Sequence, residues 1–140
     1  MSKFRTLTGY DRESSENITR AMEDYLEMIC RDAEDNGFTR VSRLARLLNV
    51  KPSSSSKMVE NLKELGYIEF EKYGVIRPTK KGSATGDYLL HRHEVLHDFL
   101  CLVNGTDDEL EQVEKIEHFF DKKTVDNLEK LTVELRNKRD

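Results

Sequence analysis

Apolar residues recur at helical spacing through most of this chain, and short breaks divide the pattern into segments. The first segment has apolar residues at positions 18, 22, 25, 29 and 33, which form one face of an amphipathic helix. Ser14 or Ser15 can cap this helix and Gly37 can stop it, so we predict that it ends at about Asn36. Residues 1–15 have no clear periodicity and are predicted to be a flexible arm.

A short helix, a tight break and another helix are predicted in the middle of the chain. Residues 39–49 form the short helix, and Val50 and Lys51 form the break. Pro52 suits the first turn of the next helix, where its missing N–H is not needed, and Gly66 stops that helix. Residues 67–72 and 75–77 then alternate as the two strands of a hairpin. This order of elements is that of a winged helix-turn-helix.

The remainder of the chain predicts three more helices. Thr79 can cap a long helix from about Lys80 to Val103, and Asn104-Gly105 ends it. Further helices begin near residues 108 and 121. The fold class is therefore mainly α, with the winged helix-turn-helix followed by a helical region.

Composition limits the location and the class of the protein. Of the 140 residues, 36% are hydrophobic and 36% are charged, as in a small helical protein with a thin core. No apolar run approaches the roughly 18 residues of a membrane span, and the first residues contain no apolar signal segment. We therefore expect a cytoplasmic protein that does not contact a membrane. Cys30 and Cys101 lie within helical patterns and are expected to be buried thiols.

Charge is unevenly distributed along the chain. Residues 39–82 contain ten lysines and arginines against four glutamates, a net charge of +6, whereas the other residues together carry −10. A basic segment in an acidic chain indicates a surface that binds a polyanion, although an ordinary solvated face produces the same pattern.

The predicted winged helix-turn-helix supplies candidate DNA-binding residues. A recognition helix presents its first residues to the major groove, and here those residues are four serines, 53–56, followed by Lys57. Their hydroxyls can bond phosphates or base edges, and the hairpin side chains can reach the backbone or the minor groove. The arginines at positions 40, 43 and 46 fit phosphate contact and solvation equally well. The candidates are Arg43, Pro52, Ser53, Ser54, Ser56, Lys57, Lys72, Tyr73 and Arg77.

Carboxylates and imidazoles lie where an apolar helix face is expected. Glu114, Glu117 and His118 share a helix face with Leu110 and Val113 if residues 110–118 are helical. Buried carboxylates are costly unless a charge cancels theirs, which a divalent cation can do. The upstream residues of the same kind are Asp24, Glu27 and His93. Each residue alone also fits a core histidine or a surface ion pair, so a metal site requires that all six meet.

The donor set indicates the kind of metal and leaves other classes of protein open. Oxygen and imidazole donors without cysteine or methionine suit manganese(II) or iron(II), and six residues can hold two ions. Helical Glu and His at this spacing also build dinuclear carboxylate enzymes, but such an enzyme would not explain the basic winged helix-turn-helix. A regulator without metal would leave the clustered carboxylates unexplained.

Several stretches resemble the manganese transport regulators of the diphtheria toxin repressor family. They are residues 22–29 (MEDYLEMI), 41–68 (VSRLARLLNVKPSSSSKMVENLKELGYI), 70–73 (FEKY), 92–100 (RHEVLHDFL) and 113–118 (VEKIEH). The resemblance implies a homodimeric repressor that binds double-stranded operator DNA, takes no organic substrate and is not an enzyme. It implies a DNA-binding domain at residues 16–79 and a helical dimerisation and metal-binding domain at residues 80–140.

The resemblance also implies that the six residues above are the metal ligands. Asp24 and Glu114 stand where the iron subgroup usually has methionine and cysteine, which favours manganese(II), with two ions per subunit expected. An iron(II)-responsive regulator of the same fold stays open as an alternative, because other divalent ions bind such donors as well or better. His97 stands where the family often has an acidic residue, and we expect either an accessory ligand or a surface histidine there.

Overall fold

The computed structural model describes residues 18–71 and 74–139, and it confirms the mainly helical fold with a two-stranded hairpin. Within these ranges, three helices come first: α1 (Arg20–Asn36), α2 (Val41–Leu48) and α3 (Pro52–Glu64). The hairpin strands β1 (Ile68–Phe70) and β2 (Ile76–Pro78) follow. The described chain is completed by α4 (Lys80–Asn104), α5 (Leu110–Ile116), a 3-10 turn (Glu117–Phe119) and α6 (Lys122–Arg139). The predicted arm lies outside the described residues.

Helix α1 begins later than predicted. Its N-cap is Thr19, whose hydroxyl oxygen accepts a hydrogen bond from the backbone N–H of Met22 at 3.2 Å. The predicted caps, Ser14 and Ser15, therefore do not begin this helix, and they lie outside the described residues. The predicted end is confirmed, because Gly37 adopts a φ of 85° and its N–H donates to the Ala33 carbonyl.

The hairpin also shortens α2 relative to the prediction. β1 and β2 pair antiparallel, and Thr39 extends the ladder by exchanging two backbone hydrogen bonds with Ile76, at 2.9 and 3.0 Å. Because both backbone groups of Thr39 are used in this bridge, residues 39 and 40 are not helical and α2 begins at Val41. The bridge fixes the hairpin against the start of the helix-turn-helix.

The acidic segment near the C-terminal end was expected to be one continuous helix, but the structure divides it into two elements. α5 stops at Ile116, and Glu117 begins a single 3-10 turn before the chain extends at Phe120. The Glu117 N–H still donates to the Val113 carbonyl, as in an α-helix. A 3-10 turn advances about 120° per residue instead of about 100°, so His118 departs from strict helical spacing relative to Glu114. Such turns commonly end a helix, and here Asp121 begins the next one by accepting from the N–H of Thr124.

Helix α4 connects the two halves of the described chain because it contacts α1, α5 and α6. Its first half covers the core of the winged helix-turn-helix, whose fully buried side chains include Leu26, Ile29, Leu44, Leu62 and Ile76. Its second half buries Val95 and Leu96, and α5 and α6 add Val113 and Val125. None of the helices in the described ranges is long and apolar enough to cross a membrane.

Two glycines allow α4 to approach its neighbours closely. A Cβ on Gly82 would lie 1.8 Å from the carbonyl oxygen of Tyr67, and one on Gly86 would lie 2.4 Å from the Cys30 sulfur. The Cys30 thiol donates to the Gly82 carbonyl at 3.6 Å, and burial raises its pKa to about 11. Cys30 is half-buried and not fully buried as expected, and its thiol packs against the backbone of α4.

A buried carboxylate joins α1 to α2. Asp32 is 5% exposed and accepts from Arg43 Nε with both oxygens, at 2.6 and 2.7 Å, and from the Asn36 amide at 2.9 Å. The hydrogen bond from Arg43 is the main reason that the pKa of Asp32 lies below its usual value. This contact fixes the first helix of the helix-turn-helix to the end of α1.

Replacement Gly82→Ala is expected to destabilise the protein by about 1–3 kcal/mol, because the new methyl group collides with backbone and not with a flexible side chain. Elsewhere in a helix, alanine is about 1 kcal/mol better than glycine, so the sign of the change is diagnostic. Urea denaturation measures it. The exposed neighbour Ser83 provides the control, and a Gly82→Ala protein as stable as Ser83→Ala would contradict the close packing.

Replacement Asp32→Asn is expected to lower the free energy of unfolding at pH 7 and to flatten its acid dependence. Because the folded pKa lies below the unfolded value of about 3.8, the stabilisation is complete above that value and is lost as the pH falls through the folded pKa. Denaturation at several pH values should show the two proteins converging in acid. Asp35→Asn, on the exposed face of the same helix, should keep the wild-type profile.

Candidate metal centre and DNA-binding surface

Three of the six candidate ligands lie in one cluster between α1, α4 and the 3-10 turn. Donor atoms of Glu27, His93 and Glu117 all lie within 4.8 Å of one another. His93 Nδ1 lies 3.3 Å from Glu117 Oε2, and the side chain of Glu117 is fully buried. The other oxygen of Glu117, Oε1, is buried and has no hydrogen-bond partner within the described part of the chain. The cluster therefore contains a buried carboxylate oxygen that is available to a ligand.

The other three candidates border this cluster. His118 follows Glu117 directly, and its Nε2 lies 3.1 Å from Asp24 Oδ1. Glu114 Oε1 lies 3.8 Å from His93 Nδ1. The side chains of Asp24 and Glu114 are 47% and 59% exposed, so they form the outer edge of the group. The structure thus places each of the six residues next to another member of the set.

Crowding of negative charge perturbs the protonation of these groups. Burial, followed by the nearby Glu117 carboxylate, raises the pKa of both Glu27 and Glu114. The hydrogen bond to Glu117 raises the pKa of His93, and hydrogen bonds to Asp24 and Glu23 raise the pKa of His118 to about 9. These four side chains therefore bind protons more strongly than the same side chains do in free solution.

Two arginines form ion pairs with carboxylates in this region and so compensate part of its negative charge. Arg31 Nη2 lies 2.7 Å from Glu27 Oε1 on the half-exposed side of α1. Arg92, only 3% exposed, contacts Glu23 and lies 3.5 Å from His118 Nδ1. Glu23 and Arg92 were not among the residues predicted for the site, although the spacing of Arg92 from the buried Leu89 and Leu96 is that of an inward-facing position.

The chemistry of these residues fits a divalent cation. Carboxylate oxygens and imidazole nitrogens are the donors that manganese(II) and iron(II) accept, and no soft sulfur donor is part of the cluster. A fully buried carboxylate with one unpaired oxygen is costly, and a cation bound to that oxygen would remove the cost. His97 is not part of this arrangement, because its Nε2 accepts the backbone N–H of Glu109 at 3.1 Å.

The first turn of α3 forms an exposed polar surface, with one exception. The exposed residues are Pro52, Ser53, Ser54, Ser56 and Lys57. Ser55, which the sequence analysis grouped with them, is fully buried and shares a hydrogen bond of 3.2 Å with the Tyr25 hydroxyl on α1. The expectation that Ser55 faces DNA is therefore wrong, because a helical turn directs every fourth side chain back towards the core.

The other DNA-binding candidates differ in their surroundings: two arginines form ion pairs, and two hairpin residues lie outside the described ranges. Arg43 is half exposed but bound to Asp32, and Arg77 lies 3.3 Å from Glu71 on the hairpin. Lys72 and Tyr73 lie outside the described residues. The structure therefore presents one continuous polar surface at α3 and an arginine on the strand of the wing.

Comparisons with known proteins agree with this combination of features. The N-terminal DNA-binding domain of iron-dependent repressors matches residues 17–76. The HTH-type transcriptional regulator MntR of Oceanobacillus iheyensis is 40% identical over 111 residues, which cover 79% of this chain and 76% of that protein. MntR of Bacillus subtilis is 41% identical over 112 residues, which cover 79% and 78%.

A solved structure gives the same fold. The manganese regulator SloR matches with a TM-score of 0.68 and 25% identity over 81% of this chain, which spans 54% of the SloR chain. The MntR relatives, in contrast, are matched over more than three quarters of their length. This chain therefore belongs to the MntR group of the diphtheria toxin repressor family and is a metal-dependent transcriptional regulator that binds operator DNA.

Proposed function

We propose that this protein is a cytoplasmic, manganese-responsive repressor of manganese uptake genes, which binds its operator as a homodimer. The proposed ligands are Asp24, Glu27, His93, Glu114, Glu117 and His118. The main support is the convergence on Glu117 of donors from α1 and α4, helices that also form the winged helix-turn-helix core. The names of the MntR and SloR relatives support manganese as the ion.

Electrostatic repulsion in the centre explains why occupancy matters. Two carboxylate charges about 5 Å apart, the spacing of the Glu27 and Glu117 donors, repel by about 3 kcal/mol at an effective dielectric near 20. A bound divalent ion supplies the positive charge that cancels this repulsion. Without such compensation, the repulsion between Glu27 and Glu117 favours a displacement of α1 away from the 3-10 turn.

A displacement of α1 would reach the DNA-binding surface through two contacts. The Tyr25 hydroxyl meets Ser55 on α3, and Asp32 holds Arg43 on α2. Tyr25 and Asp32 lie on the same helix as Glu27, within two turns of it. The position of α1 therefore sets the position of the recognition helix, and the ion acts as a ligand that favours the DNA-binding arrangement.

Dimerisation supplies the second half of the proposed mechanism. Two recognition helices must lie about one DNA turn apart to read adjacent half-sites, and a change in α1 in each subunit alters that separation. We place the dimer contacts in the helical region of residues 80–140 and the DNA contacts in residues 16–79. The candidate DNA contacts are Arg43, Pro52, Ser53, Ser54, Ser56, Lys57, Lys72, Tyr73 and Arg77.

Two ions per subunit are proposed because the donors fall into two neighbouring groups. Glu27, His93 and Glu117 form one group, and Asp24 and His118 form the other. Glu114 lies 3.8 Å from His93 at the exposed edge of the first group. Iron(II) suits the same donors, and a DNA-binding titration at controlled free manganese(II) and iron(II) distinguishes the two regulators. The dinuclear enzyme is not favoured, because the relatives are transcriptional regulators.

Replacement Glu117→Gln is expected to abolish manganese-stimulated operator binding. It removes the buried charge but keeps the side-chain volume, so the protein should still fold and dimerise. The loss of manganese affinity should exceed the roughly 10- to 100-fold typical of changes around a metal ligand. Fluorescence anisotropy with labelled operator, titrated with manganese(II), measures both effects.

The matched control for this variant is Glu111→Gln on α5, whose side chain is 88% exposed. It changes the net charge by the same amount and should leave the titration unchanged. A Glu117→Gln protein with the manganese dependence of wild type would refute the proposed centre.

Replacement Lys57→Ala is expected to weaken operator binding and to reduce the slope of log affinity against log salt by about 1, because one phosphate contact is lost. Lys63→Ala removes the same charge from the far end of α3 and serves as the control. An unchanged slope for Lys57→Ala, measured with the manganese-loaded protein, would remove this lysine from the DNA contacts.

A further inference from the structure

We propose that Glu23 and Arg92 act as a positioning pair that directs Nε2 of His118, and not Nδ1, towards the metal. This inference rests on the proposed function, since it takes His118 as a ligand. Neither residue is one of the six proposed ligands, and each directly precedes one of them in sequence. The pair lies in the region where α1, α4 and the 3-10 turn meet.

The hydrogen bond between Glu23 and His118 sets the orientation of the imidazole. Glu23 Oε1 lies 2.8 Å from His118 Nδ1. Because an ionised carboxylate only accepts hydrogen bonds, Nδ1 carries a proton in this contact, and Nε2 carries one in its contact with Asp24. Nε2 is on the other side of the ring, 3.1 Å from Asp24 Oδ1. The contact therefore leaves Nε2 as the nitrogen that faces the proposed ligands.

Arg92 holds the Glu23 carboxylate in place. Its Nη2 lies 3.3 Å from Oε1 of Glu23 and its Nη1 lies 3.4 Å from Oε2, so the guanidinium contacts both oxygens. The side chains of Arg92 and Glu23 are 3% and 14% exposed, and solvent therefore screens the pair weakly. The Tyr88 ring lies 6.0 Å from the guanidinium carbon. Because the planar guanidinium of Arg92 contacts both carboxylate oxygens, it restricts the rotamer of Glu23.

The pair has a role beyond filling space because it acts across three elements. Glu23 belongs to α1, Arg92 to α4 and His118 to the 3-10 turn. A carboxylate that accepts the second N–H of a metal-binding histidine fixes the ring and raises its basicity, and its loss typically costs 10- to 100-fold in metal affinity. We therefore expect Glu23 to affect metal binding directly and Arg92 to act through Glu23.

The test compares which nitrogen of His118 binds metal in several variants of the full chain. Protein with ¹⁵N-labelled histidine is loaded with ¹¹³Cd²⁺, a diamagnetic substitute for manganese(II), and long-range ¹H–¹⁵N spectra identify the bound nitrogen. Mn²⁺ affinity is measured in parallel from the free-ion electron paramagnetic resonance signal. The variants are Glu23→Gln, Glu23→Met and the double variant Glu23→Met with Arg92→Met, with the exposed Glu34→Gln on α1 as the control.

Wild type and Glu34→Gln should bind Cd²⁺ through Nε2 of His118. Glu23→Gln keeps an oxygen that accepts from Nδ1, so it should retain Nε2 binding with a less than 10-fold loss of Mn²⁺ affinity. Glu23→Met should mix the two nitrogens and lose about 10- to 100-fold. The double variant leaves neither Glu23 nor Arg92 as an unpaired buried charge. Its Mn²⁺ affinity should be no more than twofold below that of Glu23→Met, because Arg92 acts through Glu23.

The outcomes separate this inference from the proposed function. If His118 in wild type shows no metal-dependent change, the proposed metal centre fails. If wild type binds through Nδ1, or if Glu23→Met and the double variant keep Nε2 binding and wild-type affinity, the positioning pair is overturned while the centre stands. A purely structural ion pair would lower the unfolding temperature of these variants without changing the bound nitrogen.

Discussion

The buried carboxylate of Glu117 is the constraint on which the other features depend. It is fully buried, one oxygen contacts His93, and the other has no partner among the described residues. Removing an ionised carboxylate from water is expensive unless positive charge accompanies it. Glu27 adds a second negative charge to the same space. The protein therefore contains a site whose electrostatic balance depends on what binds there, and this property suits a sensor of divalent ions.

Helix α1 connects that balance to the proposed DNA-binding surface. It contributes Asp24 and Glu27 to the centre, the Tyr25 hydroxyl to the start of α3, and Asp32 to α2. These contacts lie along one helix, so in the proposed mechanism a shift at one end moves the partners at the other. The serine hydrogen-bonded to Tyr25 belongs to the same turn as the exposed serines that face outward. Packing inside the winged helix-turn-helix and the proposed reading of DNA thus share one helical turn.

Much of the fold follows from local sequence signals. Helical periodicity, Pro52 at the start of α3 and the glycines at 37 and 105 locate most elements, because these signals act within one or two turns. The start of α1 is a local error, because Thr19 caps that helix in place of Ser14 or Ser15. The other two errors occur where distant residues intervene. Thr39 pairs with Ile76 and so delays α2, and the 3-10 turn at Glu117 places its side chain between α1 and α4. Neither contact leaves a trace in local periodicity.

The sequence alone placed several carboxylates and imidazoles beside apolar helix faces, and so it identified a set of residues that needed a common partner. Only the tertiary structure decided how they meet: Glu117 at the buried centre, Asp24 at the exposed edge, and the unforeseen Glu23 and Arg92 behind His118. The physical reason is that spacing along a helix fixes the direction of a side chain. Burial, hydrogen-bond partners and the local electric field are set by elements far away in the chain.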